Sequence, residues 1–152
     1  MKAEIKGLKE ALGKMEQVPR DLRGSGMVEA MRDATMVVTR AARINAPVDT
    51  GRLRASITPE VVRQSNVVRG IVGSNVKYTP YMELGTRPHW PPIAALEVWA
   101  RRHHTTAFLV ARAIARRGIK ARRFLQRALM ENRNKIGEII SRTVGRIVEK
   151  RE

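Results

Sequence analysis

The 152-residue chain has no cysteine, and its aromatic content is only 4%. The first absence removes disulfides, thiolate nucleophiles and cysteine-ligated zinc together. The second means that a core must be built from Val, Ile, Leu, Ala and Met. No apolar run approaches the roughly 20 residues that a bilayer span requires. The start, Met1-Lys2-Ala3-Glu4-Ile5-Lys6, has no apolar stretch behind its charge, so a secretory signal is not expected and assembly in a cytoplasm is. Negative charge is scarce too: 14 Asp+Glu stand against 30 Lys+Arg, for a net charge of +16. An excess of this size points to a polyanion such as nucleic acid, an acidic membrane surface or an acidic protein, and says nothing about fold. Residues 101–152 hold 15 basic and 4 acidic side chains, a local +11, against +5 for the first hundred. The polyanion-facing surface is therefore expected towards the C-terminus.

What is present is ordinary globular material. The apolar fraction is 43%, and the length suits one domain spanning residues 1–152. Ile5, Leu8, Leu12 and Met15 recur at helical spacing. Val18-Pro19-Arg20-Asp21 breaks that pattern, and Gly24-Ser25-Gly26 reads as a flexible joint. A helix is expected from Met27 to Asn45, with Met31, Ala34, Val38 and Ala41 as its buried stripe and Pro47 ending it. Leu53–Arg63 and Val67–Ser74, rich in β-branched residues around Gln64-Ser65-Asn66, predict an antiparallel β-hairpin. Pro59 inside the first run predicts an edge strand or a bulge.

Tyr78–Pro92, holding Pro80, Gly85, Pro88, Pro91 and Pro92, reads as a long irregular segment of the kind that carries function. Helical stretches over Ile93–Arg102 and Thr106–Arg117 follow, joined at His103-His104, with Gly118 capping the second. A long amphipathic helix is expected over Ala121–Lys150, striped by Leu125, Leu129, Ile136, Ile140, Val144 and Ile147. Glu131/Lys135 and Glu138/Arg142 would pair on its wet side. The fold class is α+β: a hairpin packed with N-terminal helices and a long C-terminal helix.

Two segments stand out: Ala46-Pro47-Val48-Asp49-Thr50-Gly51-Arg52-Leu53-Arg54-Ala55-Ser56-Ile57 and Val72-Gly73-Ser74-Asn75-Val76-Lys77-Tyr78-Thr79-Pro80-Tyr81-Met82-Glu83-Leu84-Gly85-Thr86. Physically, both read as corners. Asp49 and Thr50 carry short oxygens that bond nearby backbone N–H groups, and Gly51 permits a turn that other residues resist. Gly85-Thr86 looks like a second such corner. Together with a closing piece, Gly118-Ile119-Lys120-Ala121-Arg122-Arg123-Phe124-Leu125, these segments resemble the gene-product-ten-like tail-component family of siphophages and their prophages. The resemblance covers most of residues 27–150.

One departure is that Arg123 stands where that family commonly has a proline before the Phe, and residues 93–117 correspond to its variable region. The resemblance implies a non-enzymatic virion protein of the neck, or tail completion, that forms a ring at the head–tail junction. Its structural motif would comprise Pro47, Asp49, Thr50, Gly51, Leu53, Gly73, Tyr78, Glu83, Gly85 and Thr86. It implies no catalytic residue, cofactor or metal. The implied partners are further copies of the chain, most simply six, with head-closure and tail-terminator or tail-tube proteins as neighbours.

Rival chemistries are thinly supported. Asp49-Thr50-Gly51 is also the aspartic-protease signature, but that site needs a hydrophobic strand leading into the Asp and a twin carboxylate. Here a helix and Pro47 precede it. His89, His103, His104 and Glu83 are the available metal-ligand types, yet adjacent histidines on a helix diverge by about 100°. Glu83 reads either as a subunit contact to an Arg of the next protomer or as a local hydrogen-bond acceptor. Tyr81 and Trp90 are candidate interface residues; Trp90, in a proline-rich loop, and Trp99 each read as an interface anchor or a core anchor. Arg112, Arg116, Arg117, Lys120, Arg122, Arg123 and Arg127 could face duplex DNA in a lumen, acidic protein partners or solvent. Charge alone also leaves a free-standing, non-specific nucleic-acid-binding protein as the alternative.

Overall fold

The computed structural model describes residues 25–64 and 67–149. The stripe Ile5, Leu8, Leu12 and Met15, the break at Val18–Asp21, and Ser65, Asn66 and the Ile147 side chain lie outside what is described. The fold is α+β. In order run α1 (Ser25–Asn45), α2 (Arg52–Ser56), β1 (Ile57–Gln64), β2 (Val67–Ser74) and α3 (Thr79–Leu84). A 3-10 turn (Ile93–Leu96), α4 (Glu97–Arg102), α5 (Ala107–Arg117), α6 (Phe124–Glu131) and α7 (Arg133–Glu149) complete it. A two-residue connection allows only antiparallel pairing, and β1 and β2 form a two-stranded hairpin.

By compactness the chain divides into two units, and α1 and the hairpin contribute to both. The first holds residues 25–37, 59–72 and 132–149 of those described. Its α1 portion buries Ala30, Ala34 and Thr35. These small residues let β2 lie close: a Cβ added at Gly70 would sit 2.5 Å from Thr35 Cγ2 and 2.8 Å from Met31 Sδ. Along α7, Ile136, Ile139, Ile140 and Val144 are half-buried around Thr143, which is buried.

The second unit holds residues 38–58 and 73–131. Val38, Thr39, Ala42 and Ala46 of α1 are buried there, as are Leu53, Val76 and Thr79, and Phe124 and Ile57 are its largest fully buried side chains. Helix α3 packs against α6. The 3-10 turn, α4 and α5 pack on one another as a small helical cluster around the buried Ala100 and Ala111.

Several boundaries differ from expectation. Helix α1 starts at Ser25, so the anticipated Gly24–Gly26 joint is taken up in part by a helix. The run from Leu53 is extended only from Ile57, because Arg52–Ser56 closes a helical turn with Ala55 N–H donating to Gly51 O at 2.9 Å. Pro59 lies within β1, where each strand of a two-stranded sheet is an edge and a missing donor is tolerated. Tyr78–Pro92 is not irregular throughout: Thr79–Leu84 is helical, with Pro80 in the first turn where no N–H is needed. The expected helix over Ala121–Lys150 starts at Phe124 and is two helices parted at Asn132. Leu129 is 52% exposed, so Phe124 and Ala128 are buried on α6 instead. Glu131 pairs with Arg127, and no ion pair with Lys135 forms.

Candidate functional site

The first corner is built from the end of α1. Ala46 N–H closes the helix on Ala42 O at 2.9 Å, Pro47 follows, and Gly51 takes φ 80°, a left-handed conformation that disfavours other residues. Thr50 Oγ1 accepts from Arg52 N–H at 3.4 Å, the local bond expected of it. Asp49 behaves otherwise. Its carboxylate turns to side chains 53 and 54 residues on, accepting from Arg102 Nη2 at 2.5 Å and lying 3.3 Å from His103 Nε2. The His103 ring stacks on Trp99 with centroids 4.0 Å apart. The expectation that Asp49 bonds nearby backbone is thus corrected: a cation within reach outcompetes a weaker local acceptor geometry. Arg43 clamps the strand start, its Nε and Nη2 donating to Ile57 O at 3.1 and 2.7 Å.

Three hydroxyls tie the two signature segments together. Ser56 Oγ donates to Leu53 O at 2.7 Å, so its 2.7 Å contact with Ser74 Oγ must be donated by Ser74. Ser74 has then used its single proton. The 2.9 Å contact with Thr79 Oγ1 is donated by Thr79, and Ser74 also accepts from Val76 N–H at 3.1 Å. Proton direction is fixed along Thr79, Ser74, Ser56 and Leu53 O. Gly73, expected to be structural, has nothing within 4 Å of an added Cβ, and space does not require glycine there.

The second corner joins Met82–Thr86 to Gly118–Gln126. Thr86 N–H donates to Ile119 O at 2.9 Å, and Ile119 N–H donates back to Thr86 Oγ1 at 3.0 Å. Arg122 N–H reaches Met82 O at 2.8 Å and Arg123 N–H reaches Glu83 O at 3.0 Å. The two chains approach so closely that a Cβ at Gly118 would lie 2.0 Å from Thr86 O, and one at Gly85 2.5 Å from Ile119 O. Both glycines also hold positive φ, 70° at Gly118 and 72° at Gly85. Glu83 caps α6: its two carboxylate oxygens accept from Leu125 N–H and Gln126 N–H, each at 2.9 Å. Of the two readings open to Glu83, the structure supplies the local one. A carboxylate here meets two orphan donors and the positive end of the helix dipole.

The family described as "Bacteriophage HK97-gp10, putative tail-component" matches residues 7–85, just over half of the chain. The chain belongs to this family. No curated protein and no solved structure matches it. Membership makes it a bacteriophage tail component, a structural class of protein. The matched span contains the Asp49 corner and the hydroxyl chain, and it ends at Gly85. The segment that grips Gly85, Gly118–Leu125, lies beyond it. Where the family commonly has proline, Arg123 holds φ 50° and donates its N–H to Glu83 O. Proline can do neither.

The remaining candidates sit on the surface of the second unit. Arg112, Arg116, Arg117, Lys120, Arg122 and Arg123 are exposed, and none makes a side-chain hydrogen bond or ion pair among the described residues. Arg127 pairs loosely with Glu131 at 3.5 Å. His89 Nδ1 donates to Arg87 O at 2.9 Å. Among the described residues no cluster of His, Asp or Glu is placed to hold a metal ion. Leu53 is in the core, whereas Tyr78 and Tyr81 are exposed. Trp90 is 54% exposed and meets Phe108 edge-to-face at 5.9 Å, so it is not a core residue.

Proposed function

We propose that this tail component is a structural subunit of a long-tailed phage particle, forming a closed ring at the head–tail junction around the path of the DNA. Six copies match the usual symmetry of tails, and head-closure and tail-terminator or tail-tube proteins are the expected neighbours above and below. The observation that carries the reading is the family match joined to six exposed basic side chains, Arg112 to Arg123, that have no side-chain partner among the described residues. Contacts of Lys and Arg with phosphate need no base readout, so they suit a lumen through which DNA must slide. The polar side chains of the signature segments support a structural role, because Glu83, Thr86, Ser56, Ser74 and Thr79 bond backbone or one another and Asp49 is held by Arg102 and His103. The test is to locate the chain in purified particles by electron microscopy and mass spectrometry. Density for a ring between portal and tail tube is expected; absence from particles, or a position at the tail tip, refutes the reading.

A second reading, a free-standing nucleic-acid-binding protein, is favoured by the net charge of +16 alone. It predicts stoichiometric duplex binding by the isolated chain at physiological salt, with micromolar affinity or better. The ring reading predicts weak, steeply salt-dependent binding until copies are assembled.

A further inference from the structure

Five of the chain's six aromatic residues are exposed; only Phe124 is fully buried. Three of the five, Trp90, Trp99 and Phe108, lie with Ile93, Val98 and Leu109 in the stretch that forms the small helical cluster of the second unit, each at least 38% exposed. Their summed exposed surface is roughly 600 Å², and within it Trp90 meets Phe108 edge-to-face. A chain so poor in aromatics has placed them where another surface can bury them.

We propose that this aromatic face docks on the outward face of the β-hairpin of a second copy of the chain. The inference rests on the ring reading and names the surfaces that close it. A head-to-tail interface needs two different faces on each subunit. The hairpin supplies the other: Val68 and Val72 are half-buried, whereas Val67 and Ile71 on β2 and Val62 on β1 are 51%, 47% and 36% exposed. Gly70 presses that strand tightly onto α1, so the outward face is held firmly for a partner.

Charge selects the same pairing. Copies carrying +16 each repel unless a contact is apolar or opposes unlike charges. Glu60, exposed on β1, has no ion-pair partner among the described residues. Arg101, exposed and without an ion-pair partner among the described residues, lies one helical turn from Val98 on the aromatic side. The apolar surface of the two faces together is on the order of 800 Å². Since interfaces are about 60% apolar, this corresponds to roughly 1,300 Å² in all, within the size class of specific interfaces.

The test places the photocrosslinker p-benzoylphenylalanine at Phe108 of the full chain and irradiates purified particles assembled from mixed isotope-labelled and unlabelled protein. A mixed-isotope crosslink to the hairpin peptide of residues 57–74 is the expected result. A crosslink to another part of a second copy, or to a different virion protein, overturns the docking while leaving the ring intact. Absence of the chain from particles overturns both. In parallel, Glu60→Arg should lower incorporation into particles at least tenfold, and adding Arg101→Glu should restore it. Failure of that rescue, with both variants melting like the parent chain, also counts against the pairing.

Discussion

Removing the Glu83 carboxylate should destabilise the chain by loosening the start of α6. Both oxygens accept backbone N–H groups at 2.9 Å, one of the two bonds being partly buried, and the helix they cap carries the fully buried Phe124 and Ala128. Charge-assisted hydrogen bonds contribute about 1.5–3 kcal/mol each, helix capping about 1 kcal/mol in typical cases, and these overlap because the donors are the same. Partial exposure lowers the total, so Glu83→Ala is expected to cost about 2–3 kcal/mol. Glu83→Gln keeps one good acceptor oxygen and loses the charge, for about 1 kcal/mol. In a chain of this size the Ala variant should melt roughly 5–10 °C lower. Urea unfolding followed by circular dichroism reads both variants. If Glu83→Ala unfolds within about 0.5 kcal/mol of the parent, the cap is not supporting α6. If it is that stable and yet fails to enter particles, Glu83 serves the neighbouring protomer instead.

Three further outcomes follow from the same geometry. Arg123→Pro should destabilise by about 3 kcal/mol or more, because it removes a bonded N–H and forbids φ 50°, while Arg123→Gly should stabilise by up to about 1 kcal/mol; denaturant midpoints decide. Ser74→Ala deprives Thr79, Ser56 and Val76 of their shared partner, and a loss of about 2 kcal/mol is expected, with Ser74→Thr closer to the parent in the same melts. Gly118→Ala sets a methyl 2.0 Å from Thr86 O, so the bridge to Ile119 should open and its amide should exchange with solvent at least tenfold faster.

How much of this was legible in the sequence depended on distance along the chain. Periodicity and local breakers located α1 to within two residues at its start, and β2 at both ends. They also found Thr106, whose Oγ1 accepts from Leu109 N–H, and Gly118 at the other end of α5. Some errors were local as well. Arg52–Ser56 contains no β-branched residue, so its helical turn was readable, and Pro80 signals a helix start as readily as a loop. The parting at Asn132 carries neither glycine nor proline, and nothing in the pattern marks it. Asp49 with Arg102, and Glu83 with Leu125, are 53 and 42 residues apart. No periodicity encodes such pairings, which arise only when the core brings the elements together.

The same residues explain why the signature reads as architecture. A catalytic carboxylate or hydroxyl needs spare hydrogen-bonding capacity aimed at a reacting atom. In this chain Asp49 is held by Arg102 and His103, Glu83 by two backbone donors, and Ser56, Ser74 and Thr79 pass their protons along one fixed chain ending on a carbonyl. Among the described residues free capacity lies elsewhere, in exposed cations and half-exposed aromatic rings, groups suited to contact with another surface. The two sets should therefore separate experimentally. Substitutions in the first should lower the unfolding midpoint and reduce incorporation in proportion to it. Side-chain substitutions in the second, changes to the Arg123 backbone apart, should leave the stability within about 0.5 kcal/mol of the parent and still reduce incorporation. A variant such as Lys120→Ala that unfolds early, or Ser74→Ala that melts normally yet never assembles, would place a residue on the wrong side of that division and break the argument at that point.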